Sequence, residues 1–317
     1  MNILVTGGAG YIGSILVEHF VKKHSVVILD DLSTGKKELI NPKATFIHES
    51  ILNKKQLFKI FSQYKFDLVI HLAAKTVVSE SVKKPKLYHQ HNVMGTENIL
   101  LAMQKTNVKK LIFSSSAAVY GMPSKKIIDE NINKKPCNPY GISKLKAEEI
   151  IKTSNVNYAI LRFFNVAGTS KSLKFGMIKD KPTLLIPATN NLILHNQKPV
   201  IYGNTYQTKD GTCIRDYVHV EDLIVACEKI IPRLLKNQSG IYNLGSGKGY
   251  SVLEIIQLAC KINQAKFIYE IKPKRLGDPD ILIASIKLAK KQLSWKPKHS
   301  LISMIQSDYL FRRKHLK

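Results

Sequence analysis

The sequence is poor in the residues that mark secreted, metal-binding and membrane-spanning proteins. Its 317 residues include four cysteines, at positions 137, 213, 227 and 260, and these form no Cys-x-x-Cys pair. We therefore expect reduced thiols, and the ten histidines show no metal-ligand spacing. No apolar run approaches the ~20 residues of a membrane span. Because the chain enters a predicted strand at once, without a charged leader or an apolar segment, we expect a cytoplasmic protein.

Acidic residues and arginine are also scarce. Twenty-three aspartates and glutamates stand against 49 basic residues, which gives a formal net charge of +26. Six of the basic residues are arginines, so 43 are lysines, and they are spread over every predicted surface helix. A basic stripe would favour binding of RNA or an anionic membrane, whereas scattered lysines favour a solvated surface that attracts anionic substrates. We expect the second, with no specific nucleic-acid partner and no membrane partner.

Apolar segments alternate between strand and helix patterns through the first half of the chain. Such alternation predicts an α/β fold with a Rossmann-type, doubly wound parallel sheet. The strands are predicted at 2–6, 25–29, 44–47, 67–71, 109–114 and 157–162, and the helices near 11–23, 53–64, 86–106 and 139–153. The rhythm breaks in the polar stretch 169–182. We therefore predict a nucleotide-binding domain over 1–168 and a smaller mixed α/β substrate lobe over 169–317, with possible interleaving near 215–245.

A glycine-rich loop follows the first predicted strand. Gly7, Gly10 and Gly13 are spaced three apart, and helical periodicity begins at Tyr11. Glycines at these positions allow a tight turn, close approach of a pyrophosphate and close packing of the helix. The second strand ends at Asp30, 17 residues beyond Gly13. An acid there accepts hydrogen bonds from a ribose diol and repels a 2′-phosphate, so the pattern predicts NAD rather than NADP.

Tyr140 and Lys144 lie one helical turn apart, 127 residues after the loop. A phenol that acts as a base near neutrality needs its pKa lowered by about three units from ~10, roughly 4 kcal/mol. A nearby ammonium favours the phenolate, so we expect Lys144 to lower the pKa of Tyr140. The pair is common by chance on lysine-rich surfaces, and the preceding nucleotide loop is what makes it specific.

Several further motifs occur in an order and spacing that are informative together. They are His71-Leu-Ala-Ala74, His91-Asn-Val-Met-Gly-Thr96, Phe113-Ser-Ser-Ser-Ala-Ala-Val-Tyr-Gly121, Asn138-Pro-Tyr-Gly-Ile-Ser-Lys144, Arg162-Phe-Phe-Asn165, Arg215-Asp-Tyr-Val-His-Val220, Tyr242-Asn-Leu-Gly-Ser-Gly247 and Arg275-Leu-Gly-Asp278. From residue 1 to about residue 295, the chain resembles the extended short-chain dehydrogenase/reductase family. Within that family it is most similar to the UDP-glucose (UDP-galactose) 4-epimerases.

The resemblance implies roles for individual residues. The catalytic residues would be Ser116, Tyr140 and Lys144. NAD would be bound by Gly7, Gly10, Tyr11, Ile12, Gly13, Asp30, Leu72, Ala73, Ala74, Asn92, Ser114, Tyr140, Lys144 and Phe163. The UDP-sugar would be bound by Ser116, Tyr140, Asn165, Leu185, Arg215, Arg275 and Asp278. In this scheme the two arginines bind the diphosphate and Asp278 accepts the uridine ribose hydroxyls.

Some positions depart from related patterns. Related 4,6-dehydratases carry one or two acids after the serine run, because elimination of water needs an extra acid and base. Here Ala117 and Ala118 occupy those places, which argues against a dehydratase. Ser50 replaces the acid expected at the adenine amino group. Leu282 is neither the bulky Tyr nor the small Cys found where N-acetylated sugars are gated.

These features together predict an isomerase that inverts C4 of a UDP-hexose through a transient 4-keto sugar, with bound NAD. UDP-glucose and UDP-galactose are the expected pair; the alternatives are an N-acetylglucosamine 4-epimerase and another UDP-sugar epimerase or decarboxylase. A protein of a different class, which binds NAD or RNA without catalysis, would need no Ser116, Tyr140 and Lys144 together. The family resemblance also implies a homodimer, paired through the helices near 86–106 and 139–153.

Overall fold

The structure is a computed structural model that describes residues 1–275 and 277–315. Its strands are β1 Asn2–Thr6, β2 Ser25–Asp30, β3 Thr45–His48, β4 Leu68–His71, β5 Lys110–Ser116, β6 Ile127–Ile128, β7 Asn157–Phe163, β8 Asn165–Ala167, β9 Val200–Tyr202, β10 Ile214–His219, β11 Gly240–Leu244, β12 Gly249–Ser251, β13 Glu270–Lys272 and β14 Ile281–Ala284. Its α-helices are α1 Tyr11–Phe20, α2 Lys54–Tyr64, α3 Val78–Lys83, α4 Pro85–His89, α5 Gly95–Lys105, α6 Pro139–Thr153, α7 Leu185–Leu194, α8 Val220–Leu235, α9 Val252–Ile262, α10 Lys287–Leu293 and α11 Leu301–His315.

Seven strands form the main sheet in the order β11-β7-β5-β4-β1-β2-β3. The pairs β1–β2, β2–β3, β1–β4 and β4–β5 are parallel. This order, which reverses at β1, is that of a doubly wound Rossmann-type sheet, so the predicted fold class is confirmed. Its inner strands are continuous apolar runs because helices cover both faces of such a sheet. Strand β11 joins this sheet at its edge, beside β7.

The chain divides into two compact units, and chain segments alternate between them. The first unit contains residues 1–121, 134–162 and 226–242, and the second contains 122–133, 163–225 and 243–317. This division changes unit at 162/163, close to the boundary predicted at 168. The excursion at 122–133 contains Pro123 but follows no local pattern that predicts it, because its short strand β6 pairs with the distant strand β14.

In the first unit, α2, α5 and α6 pack against the sheet through a buried apolar cluster. Its members include Leu4, Leu57, Ile99, Leu111 and Ala147. The start of α6 is set locally: the Asn138 side chain accepts a hydrogen bond from the Gly141 amide at 2.9 Å, and Pro139 is the first helical residue. Together these features fix the point at which Tyr140 enters the helix.

The predicted helix over 86–106 differs from the observed structure. The chain forms α4, then a π-helical turn at Gln90–Met94 in which the Gly95 amide reaches the Gln90 carbonyl, and then α5. The reason is tertiary. Asn92, at the centre of that turn, makes hydrogen bonds to both the amide and the carbonyl of Lys75 at 2.8 and 3.0 Å. Pro85 begins α4, as predicted.

The second unit contains a five-stranded sheet and the helices α7, α9, α10 and α11. Strand β10 is central, paired with β12, β14 and β8. Helix α9 begins with a capping box, in which the Ser251 side chain accepts from the Glu254 amide and the Glu254 carboxylate accepts from the Ser251 amide. The apolar faces of α7, α9 and α11 share one core that includes Ile186, Ile256 and Ile305.

Candidate active site

The glycine loop between β1 and α1 has the geometry expected for a nucleotide. Gly7 has a φ of +73°, and a Cβ there would lie 2.7 Å from the amide nitrogen of Ala73. A Cβ on Gly13 would collide with the Gly7 carbonyl oxygen. Neither position therefore accepts a larger residue. An anion bound at this loop would lie at the positive, N-terminal end of α1, where a helix favours a phosphate.

Asp30 ends β2 beside this loop. Its carboxylate accepts hydrogen bonds from the amides of Ala9 at 3.0 Å and Leu32 at 2.9 Å, and the residue is buried. Burial raises the pKa of this carboxyl, and the two amides oppose the rise. The backbone thus fixes the carboxylate at the end of the strand, which is the placement that acceptance of a ribose diol requires.

The other predicted cofactor residues of the first unit lie at the carboxyl ends of neighbouring strands. Leu72 and Ala73 follow β4 and donate their amides to the carbonyl and hydroxyl of Thr6 at 3.1 and 3.3 Å. Asn92 is buried and also donates to the Ser143 hydroxyl at 2.9 Å. The Ser143 hydroxyl donates in turn to the Tyr140 carbonyl at 2.7 Å. Asn92 therefore links the loop after β4 to the helix that carries Tyr140.

The three predicted catalytic residues come together in the first unit. Ser116 ends β5, and its hydroxyl forms a hydrogen bond with the Tyr140 phenol at the start of α6. The Lys144 ammonium donates to the Ser114 carbonyl at 2.7 Å and lies 4.8 Å from the centroid of the Phe113 ring. Tyr140 and Lys144 are both buried. The arrangement supplies a hydroxyl, a phenol and a cation at one end of the sheet.

The electrostatics of this group differ from the expectation based on sequence. Burial raises the pKa of Tyr140 above its ordinary value, and the Ser116 hydrogen bond opposes the rise. The net lowering of that pKa expected from the spacing of Tyr140 and Lys144 is not seen in this structure, because burial raises the pKa; the Lys144 ammonium donates to the Ser114 carbonyl. Burial also lowers the pKa of Lys144 to about 7, while Glu148 raises it. The charge on Lys144 is therefore sensitive to its surroundings near neutral pH.

The predicted substrate residues other than Ser116 and Tyr140 lie in the second unit. The Arg215 guanidinium donates to the Asp278 carboxylate at 2.8 Å, so two residues with separately predicted roles form an ion pair. Arg275 is exposed, with its guanidinium 3.9 Å from the centroid of the Tyr202 ring. Asn165 donates to the Asp216 carbonyl at 2.8 Å. Leu282 is paired in register with Arg215.

Two further predicted residues also belong to the second unit. Phe163, assigned to the cofactor, ends β7 in the second unit, and Leu185 is the first residue of α7. Leu276, inside the Arg275–Asp278 motif, lies outside the described residues.

Two of the three histidines in the quoted motifs, His71 and His219, have structural surroundings. The His71 ring exchanges hydrogen bonds with Thr6 at 2.6 Å and Thr96 at 3.1 Å, and burial lowers its pKa to about 3. The His219 ring stacks on His299 at 4.2 Å. Among residues 1–275 and 277–315, no group of three or more candidate ligand side chains could hold a metal ion. The same residues contain no helix long and apolar enough to cross a membrane.

The sequence reasoning missed three kinds of residue near these groups. Tyr88 donates its hydroxyl to the Val77 carbonyl at 2.6 Å, and its ring lies edge-on to Tyr140 at 6.4 Å. Tyr202 was not considered as the partner of Arg275. Glu148 on α6 and Arg162 on β7 form a buried ion pair. One signal was available for Glu148: it continues the spacing of four residues from Tyr140 and Lys144.

Comparison with known proteins shows to which family this chain is related. Residues 3–245 match the model of the NAD dependent epimerase/dehydratase family. The chain is 43% identical to a UDP-glucose 4-epimerase of Lactobacillus helveticus, over 100% of this chain and 98% of that protein. A crystal structure of UDP-glucose 4-epimerase from Bifidobacterium longum in complex with NAD+ and UDP superposes with a TM-score of 0.93, at 33% identity, covering 100% of this chain and 99% of the other. The UDP-Glc/GlcNAc 4-epimerase of Campylobacter jejuni gives 0.85 at 36% identity, covering 99% of each chain.

Proposed function

Because the chain belongs to the NAD dependent epimerase/dehydratase family, we propose that it is an isomerase that interconverts UDP-galactose and UDP-glucose with bound NAD. One observation carries the proposal. A glycine loop, an acid at the end of β2 and the group Ser116, Tyr140 and Lys144 occur in one compact unit of a chain with this ancestry. A protein that only binds NAD or RNA would need the first two features but not the third.

The residues of the first unit fit NAD. The loop has the two positions where a side chain would collide, and Asp30 presents a carboxylate suited to a ribose diol. Gly10, Tyr11, Ile12 and Gly13 are the candidates for the pyrophosphate, and the segment Leu72–Ala74 with Asn92 and Ser114 for the nicotinamide end. When bound, NAD supplies the acceptor and later the donor of the hydride at C4.

The chain's own residues transfer the proton and orient the sugar. Tyr140 removes the proton of the O4 hydroxyl while C4 is oxidised, and it returns that proton after the ketone has turned over. Ser116, which is bonded to the phenol, orients O4 and passes or positions the proton. Lys144 holds the nicotinamide ribose and favours the charged phenolate. Tyr140 and Lys144 are buried, which helps to exclude water from the transient ketone.

The diphosphate and the uridine are assigned to the second unit. Arg215 and Arg275 have the planar fork that binds phosphate oxygens through two hydrogen bonds. Asp278 accepts the uridine ribose hydroxyls, with Asn165 and Leu185 as further contacts to the substrate. The Arg215–Asp278 pair holds both side chains in defined positions at 2.8 Å. In this scheme the phosphate and ribose oxygens of the substrate bind side chains that are already ordered.

The substituents next to C4 favour simple epimerisation. Ala117 and Ala118 follow Ser116 with methyl groups that can act neither as acid nor as base, so elimination of water has no second proton carrier there. Val77, Val78 and Leu282 offer no cation for a C6 carboxylate, which disfavours UDP-glucuronate. Leu282 is shorter than tyrosine, so the N-acetylated hexose pair is the second candidate.

A comparison of kcat/KM for UDP-galactose and UDP-N-acetylgalactosamine tests the substrate. We expect the non-acetylated sugar to be preferred or equal, because Leu282 still fills part of the space that a cysteine would leave open. A preference of more than about tenfold for the acetylated sugar, roughly 1.4 kcal/mol, would reverse the order of the two candidates. No turnover of either sugar would exclude the proposed function.

NAD should remain with the protein through purification. In this reaction the cofactor returns to its starting state in each turnover, so nothing requires its release. We expect acid extraction of the purified protein to yield NAD and NADH together near one per chain. Asp30→Asn should lower this content, because the amide loses part of its capacity to accept from the ribose diol, and Asp31→Asn serves as the neighbouring control. A preparation that works only with added NADP would contradict the assignment.

We also propose a cytoplasmic homodimer paired through the helices near 86–106 and 139–153. Support comes from exposed apolar side chains on this part of the chain, Met94, Leu101 and Ile142, with 45%, 36% and 42% of their surface accessible. Sedimentation at micromolar concentration should give twice the chain mass, and Leu101→Glu should shift it to the chain mass. Leu235→Glu, at an exposed position on α8, should leave the dimer intact. A monomeric wild-type protein would refute this assembly.

A further inference from the structure

Three successive serines at the end of β5 contact three residues that follow one another at single-turn spacing on α6. The Ser116 hydroxyl forms a hydrogen bond with Tyr140, and the Ser114 carbonyl accepts from Lys144 at 2.7 Å. The Ser115 hydroxyl donates to the Glu148 carboxylate at 2.5 Å. Residues 140, 144 and 148 lie on one face of the helix. Glu148 is therefore the third member of the row that contains the catalytic pair, although it has no role in the reaction described above.

Glu148 is fully buried and held on two sides. Arg162 of β7 donates from Nε and Nη2 to the two carboxylate oxygens at 2.9 and 2.7 Å. The remaining Arg162 nitrogen, Nη1, donates to the Tyr120 hydroxyl at 2.8 Å. The exposures of the Arg162 and Glu148 side chains are 1% and 0%. Burying such a pair gives little net stability, because the cost of desolvation offsets the attraction, so its position beside Lys144 calls for another explanation.

The carboxylate of Glu148 favours the charged form of Lys144. Burial lowers the pKa of the Lys144 ammonium to about 7, and Glu148 is the group that raises it. The other titratable and charged groups around the pair are Tyr140 on α6, His71 on β4, Tyr120 after β5, Arg162 on β7, and Lys134 and Lys152. His71 is kept neutral, since burial lowers its pKa to about 3. Glu148 is the anion among these groups.

We propose that Glu148, oriented by Arg162 and Ser115, is a positioning residue of the reaction centre that keeps Lys144 charged and seats the row Tyr140–Lys144–Glu148 against the serines of β5. The inference rests on the proposed function, because it assigns Glu148 a part in the work of Tyr140 and Lys144. If the pair served packing alone, its removal would affect folding but not the charge on Lys144.

Glu148→Gln is the first test. The amide keeps the shape and a bond to Ser115 but removes the charge, so kcat should fall at least tenfold while KM for the UDP-sugar changes little. The pH of maximal kcat should move to lower values by about half a unit or more, because Lys144 loses its proton more readily without the anion. The thermal midpoint should also fall, because Arg162 is left buried without its partner. Glu149→Gln, an exposed neighbour on the same helix, should change none of these quantities.

The double variant Glu148→Gln/Arg162→Met distinguishes a positioning role of Glu148 from a role in packing alone. Removing both charges should restore much of the thermal midpoint, while the pH of maximal kcat stays low because Lys144 still lacks its anion. Return of both the thermal midpoint and the pH profile to wild-type values would overturn the proposal. An unshifted pH profile in the single variant would do the same. If the single variant does not fold, the double variant decides between these outcomes.

Lysine labelled with ¹³C at Cε provides a measurement that does not depend on turnover. The signal of Lys144, identified by its absence in Lys144→Met, should titrate well below the ordinary range of lysine. Its titration should move lower still in Glu148→Gln and in the double variant, and an unchanged titration would overturn the proposal. Absence of epimerase activity in the wild-type protein would refute the proposed function, while this titration would still decide the role of Glu148.

Discussion

Tyr140→Phe should reduce turnover of UDP-galactose by at least ~10³-fold, the largest effect expected of any single substitution. The substitution removes one hydroxyl from a buried ring and leaves the ring contacts in place, including the edge-on contact with Tyr88 at 6.4 Å. The lost oxygen is the group that exchanges the O4 proton. Steady-state rates, with the NAD content and thermal midpoint of the same preparation, measure the effect.

Tyr158→Phe is the matched control for this substitution. Tyr158 lies on β7 and packs against the apolar cluster of the same unit, so the control removes an identical oxygen away from the reaction centre. It should keep its turnover within a factor of about two or three. A Tyr140→Phe protein with near-normal turnover would exclude the phenol as the base.

Lys144→Met should produce the second largest effect, a loss of about 10²-fold or more in kcat at neutral pH. The phenol of Tyr140 must be ionised to act as a base, and burial already raises its pKa. Without the nearby cation that pKa rises further, so the rate should climb with pH and reach its maximum at a higher pH than in the wild type. Lys146→Met, an exposed position two residues along α6, should leave the profile unchanged. A pH maximum that stays in place would contradict the role of the ammonium.

The same substitution should also change stability in a way that depends on pH. The pKa of Lys144 is about 7 in the folded protein, below the ordinary value of a lysine, ~10.4, so the unfolded chain binds more protons between these values. The buried lysine therefore lowers the free energy of unfolding, fully below pH 7 and no longer above the unfolded pKa. Lys144→Met should raise that free energy below pH 7 by on the order of a few kcal/mol, less the lost bond to Ser114. The gain should disappear as the pH rises toward 10, which chemical denaturation at several pH values can check.

Local patterns were sufficient to predict the first half of the fold. The strands β1 to β5 and β7 agree with the predicted ranges to within about two residues, because buried parallel strands are apolar runs bounded by polar turns. The glycine loop and the Tyr140–Lys144 pair were also visible, since both depend on spacing within a few residues. The start of α6 at Pro139 agrees with the predicted range of 139–153, and Asn138 caps the helix in the structure.

The features that escaped prediction depend on contacts between distant parts of the chain. Arg215 and Asp278 are 63 residues apart in sequence, so no local pattern indicates their ion pair. Glu148 and Arg162 are charged residues that a sequence reading assigns to the surface, yet both are buried. The raised pKa of Tyr140 is a consequence of burial by the whole unit, and the spacing from Lys144 carries no information about it.

The π-helical turn at Gln90–Met94 determines which face of α5 is directed toward the core. One wider turn takes up an additional residue, and each residue of an α-helix advances the azimuth by about 100°. The buried stripe of α5, formed by Ile99, Ala102 and Met103, is thus rotated relative to the stripe of α4 that carries Tyr88. A deletion of one residue from this turn would turn that stripe toward solvent and bring Leu101 inward. The length of this short segment is therefore as constrained as any side chain in the core.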